Sequence, residues 1–245
     1  GDGEVTIRDI TQEYACLALW GPKARLTLEK ITQNDVSNAA HPYLTTKLIQ
    51  INGAGVYAQR VSYAGELGWE LYVPYNRATM VFDMLMEAGK EFGIEVGGYK
   101  VLDSLRLEKG YRYFTTDITV SETPYEGGLG FCVDLNKGDF IGRDALVKRK
   151  AEGITRKLCT LVLTGKDDFT QIYGGEAIYH EGKVLTRVRS GGYGFTLKKN
   201  ILYAYLPVEL AKQGNRFTID LIEGRQEAEV TATVLFDPKG ERARA

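Results

Sequence analysis

Apolar and polar positions fall into two regimes along the chain. In the first, residues 14–20, YACLALW, form an apolar run that predicts a buried strand ended by Gly21-Pro22. Proline can open a helix at its first turn, and Ala24, Leu28 and Ile31 follow at helical spacing in KARLTLEKI. A polar turn region follows at Asn34, Asp35, Ser37 and Asn38, and then residues 47–51 and 56–62 predict a hairpin about Asn52-Gly53. Residues 69–73 make a further strand ended by Pro74. Residues 78–92 predict an amphipathic helix with Val81, Leu85 and Ala88 on one face, and residues 101–110 a second helix. Helices against an antiparallel sheet, an α+β domain, is the expected arrangement. In the second regime strands dominate: 157–163, 177–179, 185–190, 201–206, 217–222 and 228–234, separated by Gly174-Gly175, Glu181-Gly182 and Gly191-Gly192. A small barrel or a sandwich fits that spacing. Between the regimes lies a glycine-rich stretch, 123–145, with a short helix expected at 143–150. The domain boundary is placed near residue 155, giving domains 1–154 and 155–245. The tail PKGERARA reads as frayed.

Composition narrows the function classes. In 245 residues, 31 Lys and Arg balance 32 Asp and Glu, so no nucleic-acid or anionic-membrane partner is advertised. No apolar run approaches the length of a membrane span, and GDGEVTIRD lacks the apolar centre of a signal peptide. Cys16, Cys132 and Cys159 each sit among apolar residues, so buried free thiols in a reducing compartment are expected. His41 and His180 have no second ligand at metal-binding spacing, so no metal site is assigned. Absence of an export signal and sparse thiols favour the cytoplasm.

Candidate chemistry concentrates in residues 63–73, YAGELGWELYV. Two readings stay open. Gly65 and Gly68 can serve tight turns while Trp69, Leu71 and Val73 pack a sheet face and Glu66 is solvated. Alternatively, alternation puts Glu70 and Tyr72 on the face opposite Trp69, Leu71 and Val73. A glutamate there could accept two parallel N–H donors from a planar heterocycle such as a pterin or guanine. Tyr63, Tyr57 and Trp69 could then supply stacking or rim surface.

The run RVSYAGELGWELYVP resembles the signature of the glycine-cleavage T-protein family of folate-dependent aminomethyltransferases. TQEYACLALWGPKARLTLEKIT, DSLRLEKGYRYFTTDI, TPYEGGLGF and KGDFIGRDAL are similar to other family segments in the right order. RKLCTLVL through SGGYGFTLKKNILYAYLP resembles the family's C-terminal barrel. The details are most similar to the folate-binding portion of dimethylglycine and sarcosine dehydrogenases. The resemblance implies a ferredoxin-like antiparallel sheet with helices, followed by a small β-barrel. It implies tetrahydrofolate as cofactor, one-carbon transfer giving 5,10-methylenetetrahydrofolate, and FAD only through a flavin-dependent dehydrogenase domain or subunit acting as partner. It implies mitochondrial placement for an animal member. By motif correspondence Glu70 is the pterin ligand, Tyr63 lines the folate pocket, and Glu66 mainly holds the loop; Trp69 stays the cofactor-binding candidate that the strand reading offers as stacking or rim surface.

Two departures from the family pattern are expected to matter. Leu102 stands where aminomethyltransferases carry a folate-holding arginine. Arg106, one helical turn on, either replaces that contact or pairs structurally with Glu108 or a loop carboxylate. Further, nothing in residues 1–10 matches the family's front segment, and Asp2 and Asp9 are no stand-ins for its aspartate. The N-terminal part of the family domain is therefore expected to be missing, and no catalytic residue is assigned. A non-catalytic module of the same fold, like the regulatory subunit of pyruvate dehydrogenase phosphatase, is the alternative. A structural half shaping the cavity of a flavin domain is a third reading.

Overall fold

The computed structural model describes residue 3 and residues 5–165 and 168–245; Asp2 lies outside them. The chain forms two compact units, Gly1–Tyr99 with Lys239–Ala245, and Lys100–Pro238. Both are antiparallel-sheet structures with accompanying helices, an α+β fold.

The first unit carries β1 (Tyr14–Trp20), α1 (Ala24–Glu29), β2 (Thr46–Ile51), β3 (Ala54–Gln59), β4 (Gly68–Pro74) and α2 (Ala78–Gly89). The strands form one antiparallel sheet in the order β1-β4-β3-β2. Asn52 and Gly53 both take positive φ, 45° and 76°, which is the geometry a two-residue hairpin with right-handed twist requires. One sheet face is sealed: Leu19, Ile49, Ile51, Val56, Ala58, Trp69, Leu71 and Val73 pack with Leu28 of α1 and Val81 and Leu85 of α2. The other face carries the alternate residues and is open. β1 departs from expectation. Only Leu19 of its seven residues is fully buried, because it is an edge strand covered on one side. Cys16 points outward and is exposed, as is Cys132; only Cys159 is the buried thiol expected of all three.

The second unit opens with α3 (Val101–Glu108), passes through irregular chain to α4 (Arg143–Glu152), and then forms β5 (Arg156–Leu163), β6 (Ala177–His180), β7 (Lys183–Gly194), β8 (Lys199–Pro207), β9 (Arg216–Leu221) and β10 (Gly224–Val230). These six strands close into a barrel in the order β10-β5-β8-β7-β6-β9, so the barrel rather than the sandwich is realised. Leu161, Leu163, Ile178, Val188, Leu202, Phe217 and Ile219 fill its interior. Gly191-Gly192 is not a turn; it lies inside β7, at a register shift against β8. A Cβ on Gly191 would stand 2.5 Å from Ile172 Cγ2, so the glycine serves close approach rather than chain reversal.

After β10 the chain returns to the first unit and ends in a short helix, α5 (Glu241–Arg244). This tail is not frayed. Ala243 is buried, and the Ala245 oxygen accepts hydrogen bonds from Arg25 Nη2 (2.9 Å) and Arg60 Nη2 (2.7 Å). Arg60 is only 1% exposed, so its charge requires such an acceptor. Among the described residues, no helix is long and apolar enough to cross a membrane.

Candidate functional site

The open face of the first sheet is assembled by strand alternation. Antiparallel register places Ala18 and Gln59 on either side of Glu70, and Cys16 and Tyr57 on either side of Tyr72. Glu70 and Tyr72 are half-buried, while Tyr57 is 45% exposed and its ring lies 5.9 Å from that of Tyr14. The result is a carboxylate on a central strand beside three tyrosines. The Tyr72 hydroxyl donates to Glu70 Oε2 at 2.9 Å, and among the described residues this is the carboxylate's one hydrogen bond. Oε1 is therefore free to accept a ligand donor. Burial first, then Glu70, pushes the Tyr72 phenol up to about 12, which keeps it a donor. Burial, then the Glu70 charge, also raises the Cys16 thiol, so it stays protonated and weakly nucleophilic.

The turn before β4 is held from several sides. Ala64 and Leu67 are buried, Gly65 takes a φ of 76°, and the Glu66 N–H donates to Ser62 Oγ at 3.0 Å. Glu66 Oε1 pairs with Arg242 of the tail at 2.5 Å, so Glu66 holds the loop by anchoring the C-terminal segment. Tyr63 is half-buried at the start of this turn.

Trp69 is 0% exposed and lies in the core, on the face opposite Glu70. It backs the strand from behind and offers no ring face to a ligand on the Glu70 side. The Arg25 and Arg60 guanidinium carbons stand 5.8 and 5.9 Å from its ring, and its indole N–H donates to His41 Nδ1 at 3.4 Å. Burial lowers the His41 pKa, so the imidazole is neutral.

Arg106, in the second unit, is 2% exposed and committed to protein partners. Its guanidinium pairs with the fully buried Asp117 and reaches Asp103 Oδ1 at 3.3 Å. Asp117 also accepts from Ser190 Oγ and, at 2.8 Å, from the Tyr113 N–H. The loop-carboxylate pairing is the one realised; Glu108 instead accepts from the Thr196 and Leu197 N–H groups at 2.8 and 3.0 Å.

Two Thr-x-x-Glu boxes organise the irregular chain of this unit. Glu122 Oε2 accepts from Thr119 N (2.9 Å) and Oγ1 (2.6 Å), and Glu126 Oε2 from Thr123 N (2.8 Å) and Oγ1 (2.9 Å). Glu126 thus caps Thr123. The remaining oxygens take Arg189 (2.6 Å to Glu122) and Arg156 (3.1 Å to Glu126), and both guanidinium groups lie over the Tyr205 ring. Burial alone would raise both glutamates, but the threonine hydrogen bonds and the arginines outweigh it and hold them below the ordinary range. With folded values depressed, the unfolded chain binds the extra protons first. The stabilisation is therefore complete above the ordinary glutamate pKa of about 4.3 and is lost as pH falls through the lower folded values. Thermal melts across an acid pH series should show the stability of Glu122→Gln falling less steeply below about pH 4.3 than that of the wild type. Parallel profiles would refute this role.

Comparison with known proteins fits this architecture. The family model for the GCVT N-terminal domain matches residues 1–137, and that for the glycine cleavage T-protein C-terminal barrel domain matches residues 156–237. The mitochondrial dimethylglycine dehydrogenase of Rattus norvegicus is 37% identical over 239 residues, covering 97% of this chain and 27% of that protein. The mitochondrial sarcosine dehydrogenase of Mus musculus is 35% identical over 247 residues, covering 97% and 26%. The chain thus spans about a quarter of the length of these relatives. The crystal structure of glycine cleavage system aminomethyltransferase T from Bartonella henselae superposes with a TM-score of 0.78 at 24% identity, covering 91% of this chain and 60% of that one. The match over residues 1–137 corrects one expectation: the chain contains the family's N-terminal domain as well as its C-terminal barrel, where the N-terminal part had been expected to be missing. Both the N-terminal domain and the barrel being present, the chain belongs to the glycine-cleavage T-protein family, as an aminomethyltransferase-like module related to dimethylglycine and sarcosine dehydrogenases.

Proposed function

We propose that this chain binds tetrahydrofolate and serves one-carbon transfer, as the partner of a flavin-dependent dehydrogenase domain that oxidises a methylated amine. The observation that carries the reading is Glu70: a half-buried carboxylate on the open face of β4, with Oε2 held by Tyr72 and Oε1 unengaged among the described residues. Such a group suits the adjacent amino and ring N–H donors of a pterin. Tyr63, beside the same strand, is assigned to the pocket wall, and the exposed Tyr57 supplies aromatic surface on the same face. Trp69 supports β4 from the core side of its sheet, and Arg106 fixes α3 within the second unit through Asp117. Family membership and the dehydrogenase relatives support the folate and flavin parts of the reading.

Tetrahydrofolate supplies the nitrogen nucleophiles for one-carbon acceptance. The protein's share is orientation of the bound ring and exclusion of water, which Glu70 and the tyrosines provide without covalent chemistry. An amide cannot accept two parallel donors, so Glu70→Gln should weaken tetrahydrofolate binding roughly 10- to 100-fold in anaerobic calorimetric titration. Equal affinities would remove Glu70 from the site. Failure of the wild type to bind would remove the folate reading and favour a protein-interaction module of the same fold.

A further inference from the structure

We propose that Tyr72 is a positioning residue that locks the Glu70 carboxylate into a single ligand-reading orientation; this rests on the reading of Glu70 given above. The two side chains stand two residues apart on one face of β4, the spacing that makes strand neighbours. The Tyr72 hydroxyl reaches Glu70 Oε2 at 2.9 Å. Gln59 and Ala18 flank Glu70 across the sheet, yet among the described residues neither side chain hydrogen-bonds to its carboxylate. Tyr72 is therefore what sets the plane of the carboxylate.

A glutamate side chain otherwise samples many rotamers, and a ligand would have to order them at a cost in affinity. Tyrosine has two side-chain torsions and is restrained here between Cys16 and Tyr57 on the neighbouring strands. Its hydroxyl occupies one lone pair of Oε2. What remains is the second lone pair of Oε2 together with Oε1, an acceptor-only edge of fixed direction. Such an edge takes a ligand presenting two coplanar N–H groups and disfavours one presenting an acceptor, because the Tyr72 hydroxyl proton is already committed to the carboxylate.

Tyr72→Phe keeps the ring and removes only the hydroxyl, leaving Glu70 solvated, so the folded chain should persist with a melting temperature close to that of the wild type. Calorimetric titration of the 245-residue chain with tetrahydrofolate should show about a tenfold weaker affinity for Tyr72→Phe, the scale of one hydrogen bond to a charged group. The same substitution made on Glu70→Ala should change affinity less than about twofold, since the hydroxyl acts only through that carboxylate. A ligand-free readout accompanies this: in isotope-labelled protein the Tyr72 Cζ resonance should move on Glu70→Ala. Equal losses in both backgrounds, or none in either, would overturn positioning while leaving Glu70 as the folate residue. An unmoved resonance would overturn the pairing itself. No binding by the wild type would overturn the folate reading and this inference together.

Discussion

Gly68→Ala should lower the melting temperature of the first unit by about 10 °C, corresponding to about 3 kcal/mol or more. A Cβ at this position would lie 2.0 Å from the Leu19 carbonyl oxygen, 2.6 Å from Trp20 Cδ1 and 2.8 Å from Trp20 Cα. Two of those atoms are backbone, so no rotamer change relieves the overlap. Gly68 pairs directly with Trp20 in the β1–β4 ladder, and the Gly21 N–H donates to Leu67 O at 2.8 Å one step beyond. Alanine must therefore push the two strands apart where the signature turn enters β4. Glu70 pairs with Ala18 on the same ladder, so tetrahydrofolate binding should fall along with stability. Thermal melts with amide hydrogen exchange would check this. A wild-type melting temperature with full protection across β1 and β4 would show that the close approach is not enforced.

Asp117→Ala should cost the second unit about 3–5 kcal/mol, the scale for removing one partner of a buried ion pair. Arg106 would keep only Asp103 as an ionic partner, a carboxylate 60% exposed, and a long bond to the Tyr111 carbonyl at 3.4 Å, while its own side chain is 3% exposed. The Ser190 hydroxyl and the Tyr113 N–H would lose their acceptor at the same time. The pair is not expected to be worth that much by itself, since burying two charges has its own desolvation cost. Replacing both residues by leucine should therefore recover much of the loss. Urea unfolding of the two variants separates the contributions. A single variant within about 1 kcal/mol of wild type would contradict the argument, as would a double variant no better than the single.

The sequence made plain whatever rests on local periodicity. Alternation in β4 separated Glu70 and Tyr72 from Trp69, Leu71 and Val73, and the structure keeps that separation. Asn52-Gly53 announced its hairpin through the positive φ that both residues tolerate. What escaped depends on partners remote in the chain. The apolar run of β1 looked buried because nothing local marks an edge strand. Gly191-Gly192 looked like a turn because a glycine pair reads the same whether it serves reversal or close approach. The Tyr72 hydroxyl bond was invisible although the shared face was not. Arg106 offered two structural partners by spacing, and only the packing of α3 selects Asp117 over Glu108. The basic tail read as frayed, since the buried Arg60 that it satisfies lies far away in sequence.

That tail has a consequence for the order in which the protein can be made. Residues leave the ribosome from the N-terminus onward, and domains tend to fold as they emerge. Here the sheet and helices of residues up to 99 emerge before the barrel, yet Arg60 and Arg25 wait for an oxygen on residue 245. Every strand of the barrel must be synthesised before that oxygen exists. The unit that precedes the barrel thus finishes after it, and its nascent form carries a pair of arginines still seeking their final acceptor.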